Sequence, residues 1–323
     1  MHIAGRIAYG GRINRWAVDA AARNGYGLPG SDIAPAMTDI AALDAEILSE
    51  TAALAEAYAQ RFRGAPEAEL RAWLHVAARR EAMVSDVYGE AERCYRLPEP
   101  RTPAGDVAWE AITLIWQHEK VHTTFIEARL KDGVLQGRNL TADLLIWFGA
   151  MEGRLLAALT GRPGLRRVLA ALALRVGAAV MPGAVPGFAA ELAELDPREF
   201  FLLCGALETT ARQSYARMAE LAGMLAASAE RDGQPSLQLE NLVRGLQLTE
   251  LDEAFHEQAF HEMAGWALGG SLDPQLTGRD CALRLARLLP RGERSTRDGR
   301  LYVVTDGGLG KLFKHHGISV AIA

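Results

Sequence analysis

Lysine is almost missing from this 323-residue chain, with four residues against 31 arginines, a bias from which no function follows. A net charge of −5 without a basic stripe gives no footprint for a nucleic-acid partner. Cysteine is scarce too. Cys94, Cys204 and Cys281 form no CxxC pair and leave one over in any pairing, which argues against a disulfide framework and for a reducing compartment. The first sixteen residues hold arginines but no apolar core of a secretory signal. No apolar run is long enough to span a bilayer: the most apolar stretch, residues 165–190, is broken by Arg175, Pro182 and Pro186. It reads as a buried helix leading into a kinked connector, with a cover over a hydrophobic substrate channel as the second reading. No repeat of solenoid period is present. These absences lead to the expectation of a soluble, cytoplasmic protein without a membrane span.

What is present is ordinary globular material, 49% hydrophobic and 23% charged, ample for a core. Residues 1–37, rich in Gly, Arg and small side chains, read as an irregular arm. A helical domain is expected over 38–268. Thr38 or Asp39 can cap a first helix whose apolar positions (Ile40, Leu43, Ile47, Leu54) recur at helical spacing to about Phe62. The core helices are predicted at about 66–95, 104–131, 197–229 and 237–268, with a shorter one at 141–159. Pro66, with Glu67 and Glu69 behind it, suits a helix first turn. The extension 269–323 is expected to be weakly patterned. Its β-branched run Arg300–Thr305, followed by Asp306-Gly307-Gly308, predicts a hairpin, with the tail packed against it or against the bundle.

Two segments carry the chemistry. WQHEKVHTTFIEARL, residues 116–130, contains Glu119 and His122; LTELDEAFHEQAFHEMAGW, residues 248–266, contains Glu253 and His256. Residues three apart share a helix face, so each Glu-x-x-His brings one carboxylate and one imidazole to the same point. Two such helices, with one Glu from each of two others, form the ligand set of a dinuclear site within a helical bundle. Glu81 and Glu208 are the candidates for the missing pair. Glu81 sits among Ala82, Met83 and Val84, at a height along its helix matching Glu119, whereas Asp86 and Glu90 have more polar neighbours. Glu208 follows an almost wholly apolar run from Phe200 to Leu207, where an isolated carboxylate is costly; Glu220 looks like a surface position. The expected ligands are therefore Glu81, Glu119, His122, Glu208, Glu253 and His256. Four carboxylates balance two divalent ions, and mixed O/N ligation suits iron, with manganese as an alternative.

In this order of residues the chain resembles the ferritin-like di-iron carboxylate superfamily, over roughly residues 66–268. The resemblance implies an all-α fold: a ferritin-like four-helix bundle, here with additional helices and a small C-terminal β appendage. It implies two iron ions with O2 as co-substrate and Glu119 and Glu253 at the reacting centre. The expected activity is that of an oxidase or monooxygenase acting on a small, largely apolar or amine-bearing substrate. Electrons would come from a separate ferredoxin or reductase, and a homodimer is compatible. The Asp-Glu-x-x-His form of the second motif is typical of oxygen-activating members and gives Asp252 the role of holding a ligand histidine. The first motif departs from it, with His118 in the position of Asp252, either behind a ligand or as a further ligand.

Other readings stand beside this one. The same ligands serve a ferroxidase or iron-storage protein, and a non-catalytic helical protein can bury such groups as salt bridges. His118-Glu119-x-x-His122 also matches the zinc hydrolase pattern, with Glu152 as a third ligand, but this leaves the second motif unexplained. His261, Glu257 and Glu262 are candidates for contacts behind the ligands. Tyr88 and Tyr215, each seven residues beyond a proposed ligand, and Cys204, one turn before Glu208, read chiefly as core side chains. His315 and His316 read as surface.

Overall fold

Proline, glycine and small hydroxyl side chains set the helix ends. The computed structural model describes residues 40–94, 102–131, 135, 197–234, 236–268, 271–290, 294–297, 300–304 and 308–321, and among these it is mostly helical. Helix α1 (Ile40–Arg61) ends in a turn at Gly64, whose φ of 75° lies in the left-handed region that glycine tolerates. Pro66 then opens α2 (Pro66–Cys94), at a position where its missing N–H is no loss. Thr102 accepts a hydrogen bond from the Gly105 N–H at 3.1 Å and so caps α3 (Pro103–Lys131). Helix α4 (Pro197–Arg231) stops before Gly233, which has φ 71°, and Ser236 caps α5 (Leu237–Trp266) by accepting from Leu239 N.

The C-terminal part is more regular than its sequence suggests. Strands β1 (Ala267–Leu268) and β2 (Ser271–Leu272) pair antiparallel, and α6 (Gly278–Leu288) follows, capped by Thr277. Strands β3 (Arg294–Arg297) and β4 (Arg300–Val304) form a hairpin; α7 (Gly308–His315) leads to β5 (Ser319–Ala321), parallel to β4. The hairpin turn therefore precedes Arg300; Gly308 opens a helix, and Asp306 and Gly307 lie outside the described residues. The expectation of weak patterning missed α6 and α7, which are short and depend on caps and packing. The arm at 1–37, the helix expected at 141–159 and the apolar segment 165–190 lie outside the described residues.

The four long helices α2–α5 have a common layering. Helix α2 packs against α3 and α4, and α5 packs against the same two. One apolar cluster gathers Val84 and Tyr88 of α2, Ile112 and Ile115 of α3, Phe200 and Phe201 of α4, and Phe260 and Met263 of α5, together with residues of α6, α7 and β4. The other gathers Trp73 and Leu74, Ile126, Tyr215 and Met218, and Leu242 and Leu246, with Tyr58 of α1 stacked on Trp73 at 4.6 Å. Each large apolar side chain taken fully from water contributes about 1.5–3 kcal/mol, so the two clusters clamp the helices from both sides. Along the four helices the chemistry-bearing residues fall where the two clusters meet, with His256 directly after Phe255 of the first. Glu81, Glu119, His122, Glu208, Glu253 and His256 thus share one layer with apolar packing above and below, while the buried Glu69 and Glu257 lie outside it, each paired with an arginine.

Candidate metal centre

Glu119 and His122 of α3, Glu253 and His256 of α5, Glu81 of α2 and Glu208 of α4 all lie in that layer and all are at most 2% exposed. Their ligand atoms form two groups, Glu81–Glu119–His122–Glu253 and Glu119–Glu208–Glu253–His256. In the first group, His122 Nδ1 lies 3.1 Å from Glu253 Oε1, 3.6 Å from Glu119 Oε2 and 3.8 Å from Glu81 Oε2. In the second, His256 Nδ1 lies 2.9 Å from Glu119 Oε1, 3.5 Å from Glu253 Oε2 and 3.8 Å from Glu208 Oε2. Glu119 and Glu253 therefore offer one oxygen to each group, while Glu81 and Glu208 each belong to one.

Both histidines turn Nδ1 inward and Nε2 outward, and the outward atom is held from the opposite helix. His122 Nε2 is 3.2 Å from Asp252 Oδ2. His256 Nε2 is 3.1 Å from His118 Nδ1. Each of these supports directly precedes the Glu of the motif facing the histidine it holds. His118 is thus placed behind a ligand, not within either ligand group. Such contacts set the tautomer and ring orientation of a metal-binding histidine.

Electrostatics separates the two groups. Burial, with Glu253 close by, pushes the Glu208 carboxyl up to about 8. Burial also raises Glu119, helped by Glu208 and Glu81. Burial would raise Glu81 as well, but His122, Glu119 and Arg80 outweigh it and hold it below the usual carboxylate range. Desolvation opposes charge on His122 and His256, yet the surrounding carboxylates carry both well above an ordinary histidine. Burial and the neighbouring His256 push His118 down; at Asp252 the bond to His122 overcomes burial and keeps the carboxylate ionised.

The donor set fits a pair of ions. Glu81 Oε1, both oxygens of Glu119, both of Glu253, and the Nδ1 atoms of His122 and His256 are buried without a hydrogen-bond partner. Buried polar atoms are ordinarily hydrogen-bonded; here four buried carboxylates face two imidazoles and Arg80 without hydrogen-bond geometry, an arrangement that added cations would satisfy. With O and N donors, two shared carboxylates and no thiolate, the set matches iron or manganese better than a soft metal.

Other candidates have different places. Tyr88 donates a hydrogen bond to Glu208 Oε1, so it is more than packing. Tyr215 packs edge-on to His122, with ring centroids 6.3 Å apart. Cys204 is buried beside Glu208, and burial raises its thiol far above the ordinary value, which favours the protonated thiol. His261, expected behind a ligand, instead lies over Gly205 of α4, where an added Cβ would come within 2.5 Å of its ring. Glu257 pairs with Arg212 at 2.7 Å, Glu262 approaches Arg284 at 3.8 Å, and Glu220 pairs with Arg217 at 2.6 Å on the surface. The side chains of Asp86 and Glu90, and all of Glu152, lie outside the described residues. Sequence reasoning overlooked Arg80, which reaches 3.7 Å from Glu81 and donates to Ser214 at 3.1 Å. Its place directly before an apolar-flanked ligand was the available signal. No family model, curated protein or solved structure matches the chain.

Proposed function

We propose that this chain is a ferritin-like di-iron oxidoreductase, an oxidase or monooxygenase that uses O2 on a small, apolar or amine-bearing substrate. The observation that carries the reading is the pair of glutamates, Glu119 and Glu253, each presenting separate, buried oxygens free of hydrogen bonds to two histidine-centred groups. Glu81 and His122 would complete the ligands of one ion, and Glu208 and His256 those of the other. Bound iron would supply the electrons and Lewis acidity for O2 reduction and substrate oxidation. Manganese is compatible with the same donors.

The residues of the chain hold this chemistry in place. Asp252 and His118 each engage the Nε2 edge of one ligand histidine, leaving Nδ1 for an ion. Tyr88 holds Oε1 of Glu208, so that Oε2 faces the centre. The Arg80 guanidinium offsets the charge of Glu81. Phe201, Phe260 and Tyr88 lie in the apolar cluster adjoining the layer and exclude water from that side. Electrons would come from an external ferredoxin or reductase.

Oxygen uptake by iron-loaded protein with a chemical reductant tests the proposal. Uptake is expected in the wild type and should fall to background in Glu119→Ala and Glu253→Ala. Equal uptake in all three would overturn it.

A further inference from the structure

Glu110, His315 and His316 bring three ligand atoms within 4.8 Å of one another, well away from the central layer. Glu110 precedes Glu119 by nine residues on α3. At about 1.5 Å and 100° per residue, that places it about 14 Å along the axis and on the opposite face of the helix. The two histidines close α7. Gly317, with φ 73°, lets the chain turn in the left-handed conformation, and Ile318 N bonds Phe313 O at 2.9 Å while Gly317 N bonds Lys314 O at 3.1 Å. This pattern is a Schellman closure, which fixes the backbone that carries both rings.

The rings are parallel, with centroids 4.8 Å apart and planes 6° from each other, and both address the same carboxylate. His315 Nδ1 lies 3.6 Å from Glu110 Oε1, and His316 Nε2 lies 3.9 Å from Glu110 Oε2. These separations are too long for hydrogen bonds but close to the roughly 3.4 Å between neighbouring ligand atoms of a tetrahedral ion with bonds of about 2.0–2.1 Å. His316 Nε2 is buried and has no hydrogen-bond partner, whereas the His315 side chain is 69% exposed. The His316 ring is held over Gly278, where an added Cβ would come within 2.9 Å of its Cε1 and Nδ1. The sequence reading of both histidines as plain surface therefore holds for His315 only.

We infer that Glu110, His315 and His316 form a second, mononuclear site for an imidazole-preferring divalent transition ion such as zinc. Two imidazoles and one carboxylate are a recognised three-ligand set that leaves one position open to water. The ion ties the last turn of α7 to the outer face of α3, and through Gly278 to the start of α6. Because it binds only where these elements are docked, it stabilises the C-terminal part of the folded chain.

Zinc binding is to be measured by competition with a chromophoric chelator, on the iron-loaded wild type and on the Glu119→Ala/Glu253→Ala double variant, with iron followed in parallel. One zinc per chain, bound without iron release and present in both proteins, is expected. His315→Ala, at an exposed position whose packing contact is the stack on His316, and Glu110→Gln should each weaken it at least about tenfold. The zinc-induced rise in unfolding temperature should be lost in both. The inference fails if wild type takes up zinc only by displacing iron, takes up none, or binds it equally well in both substituted proteins. The double variant separates this outcome from the fate of the di-iron reading.

Discussion

The two halves of the centre carry the same residues in different fields. In the α2–α3 half, Glu81 has Arg80 at 3.7 Å and His122 is backed by Asp252, whose side chain is 48% exposed. In the α4–α5 half, Glu208 follows Leu207 and lies beside Cys204, and His256 is backed by a second imidazole, His118. The first half therefore stabilises charge on its own carboxylate, while the second resists it, so that Glu81 is held down and Glu208 is pushed up. Two ions bound here would be inequivalent. An ion beside His122 would have the more electron-rich ligand, because an ionised carboxylate behind an imidazole raises its basicity.

Removing the cation of the first half should have the largest effect. Arg80→Met leaves the buried Glu81 with His122 as its remaining positive neighbour, and the metal-free protein should lose up to about 3 kcal/mol by denaturant unfolding, with a smaller loss after metal loading. Next comes the support behind the ligands. Asp252→Ala should weaken binding at the His122 group by about 10–100-fold, measured by competitive metal titration, and His118→Asp should bring the His256 group closer to its counterpart. Tyr88→Phe removes the bond to Glu208 and should cost the folded protein about 1–2 kcal/mol, raising that carboxyl further.

The smallest effect is a pH dependence. In metal-free protein, Glu208 is raised to about 8 and both ligand histidines are raised as well. Groups with raised values favour the folded state at low pH, and that contribution is lost as pH rises. The unfolding temperature of metal-free protein should therefore fall between pH 6 and pH 8.5, a window in which the depressed Glu81 does not titrate. Metal loading should flatten the profile and release protons below about pH 8, as seen in a pH-stat.

Much of the centre is legible in the sequence because it depends on one period. Glu119 with His122, and Glu253 with His256, follow from a three-residue spacing on a helix, and Glu81 and Glu208 from a charge set among apolar neighbours. The helix ends followed from Pro66, Gly64 and Gly233. What stayed hidden depends on how helices face each other. No local pattern tells that Asp252 reaches His122 and His118 reaches His256, that Glu119 and Glu253 are the shared carboxylates, or that Tyr88 crosses from α2 to Glu208 on α4. Likewise α6 and α7 take their order from caps and docking against α3, and the meeting of His315 and His316 with Glu110 spans some two hundred residues of sequence.

The most direct measurement is iron stoichiometry after anaerobic ferrous loading of wild type, Glu119→Ala, Glu253→Ala, Glu81→Ala and Glu208→Ala. Two irons per chain are expected in wild type. Both should be lost or severely weakened when either shared glutamate is removed, and one should be retained when Glu81 or Glu208 is removed. A wild type holding a single ion, or a Glu119→Ala protein holding two, would contradict the account.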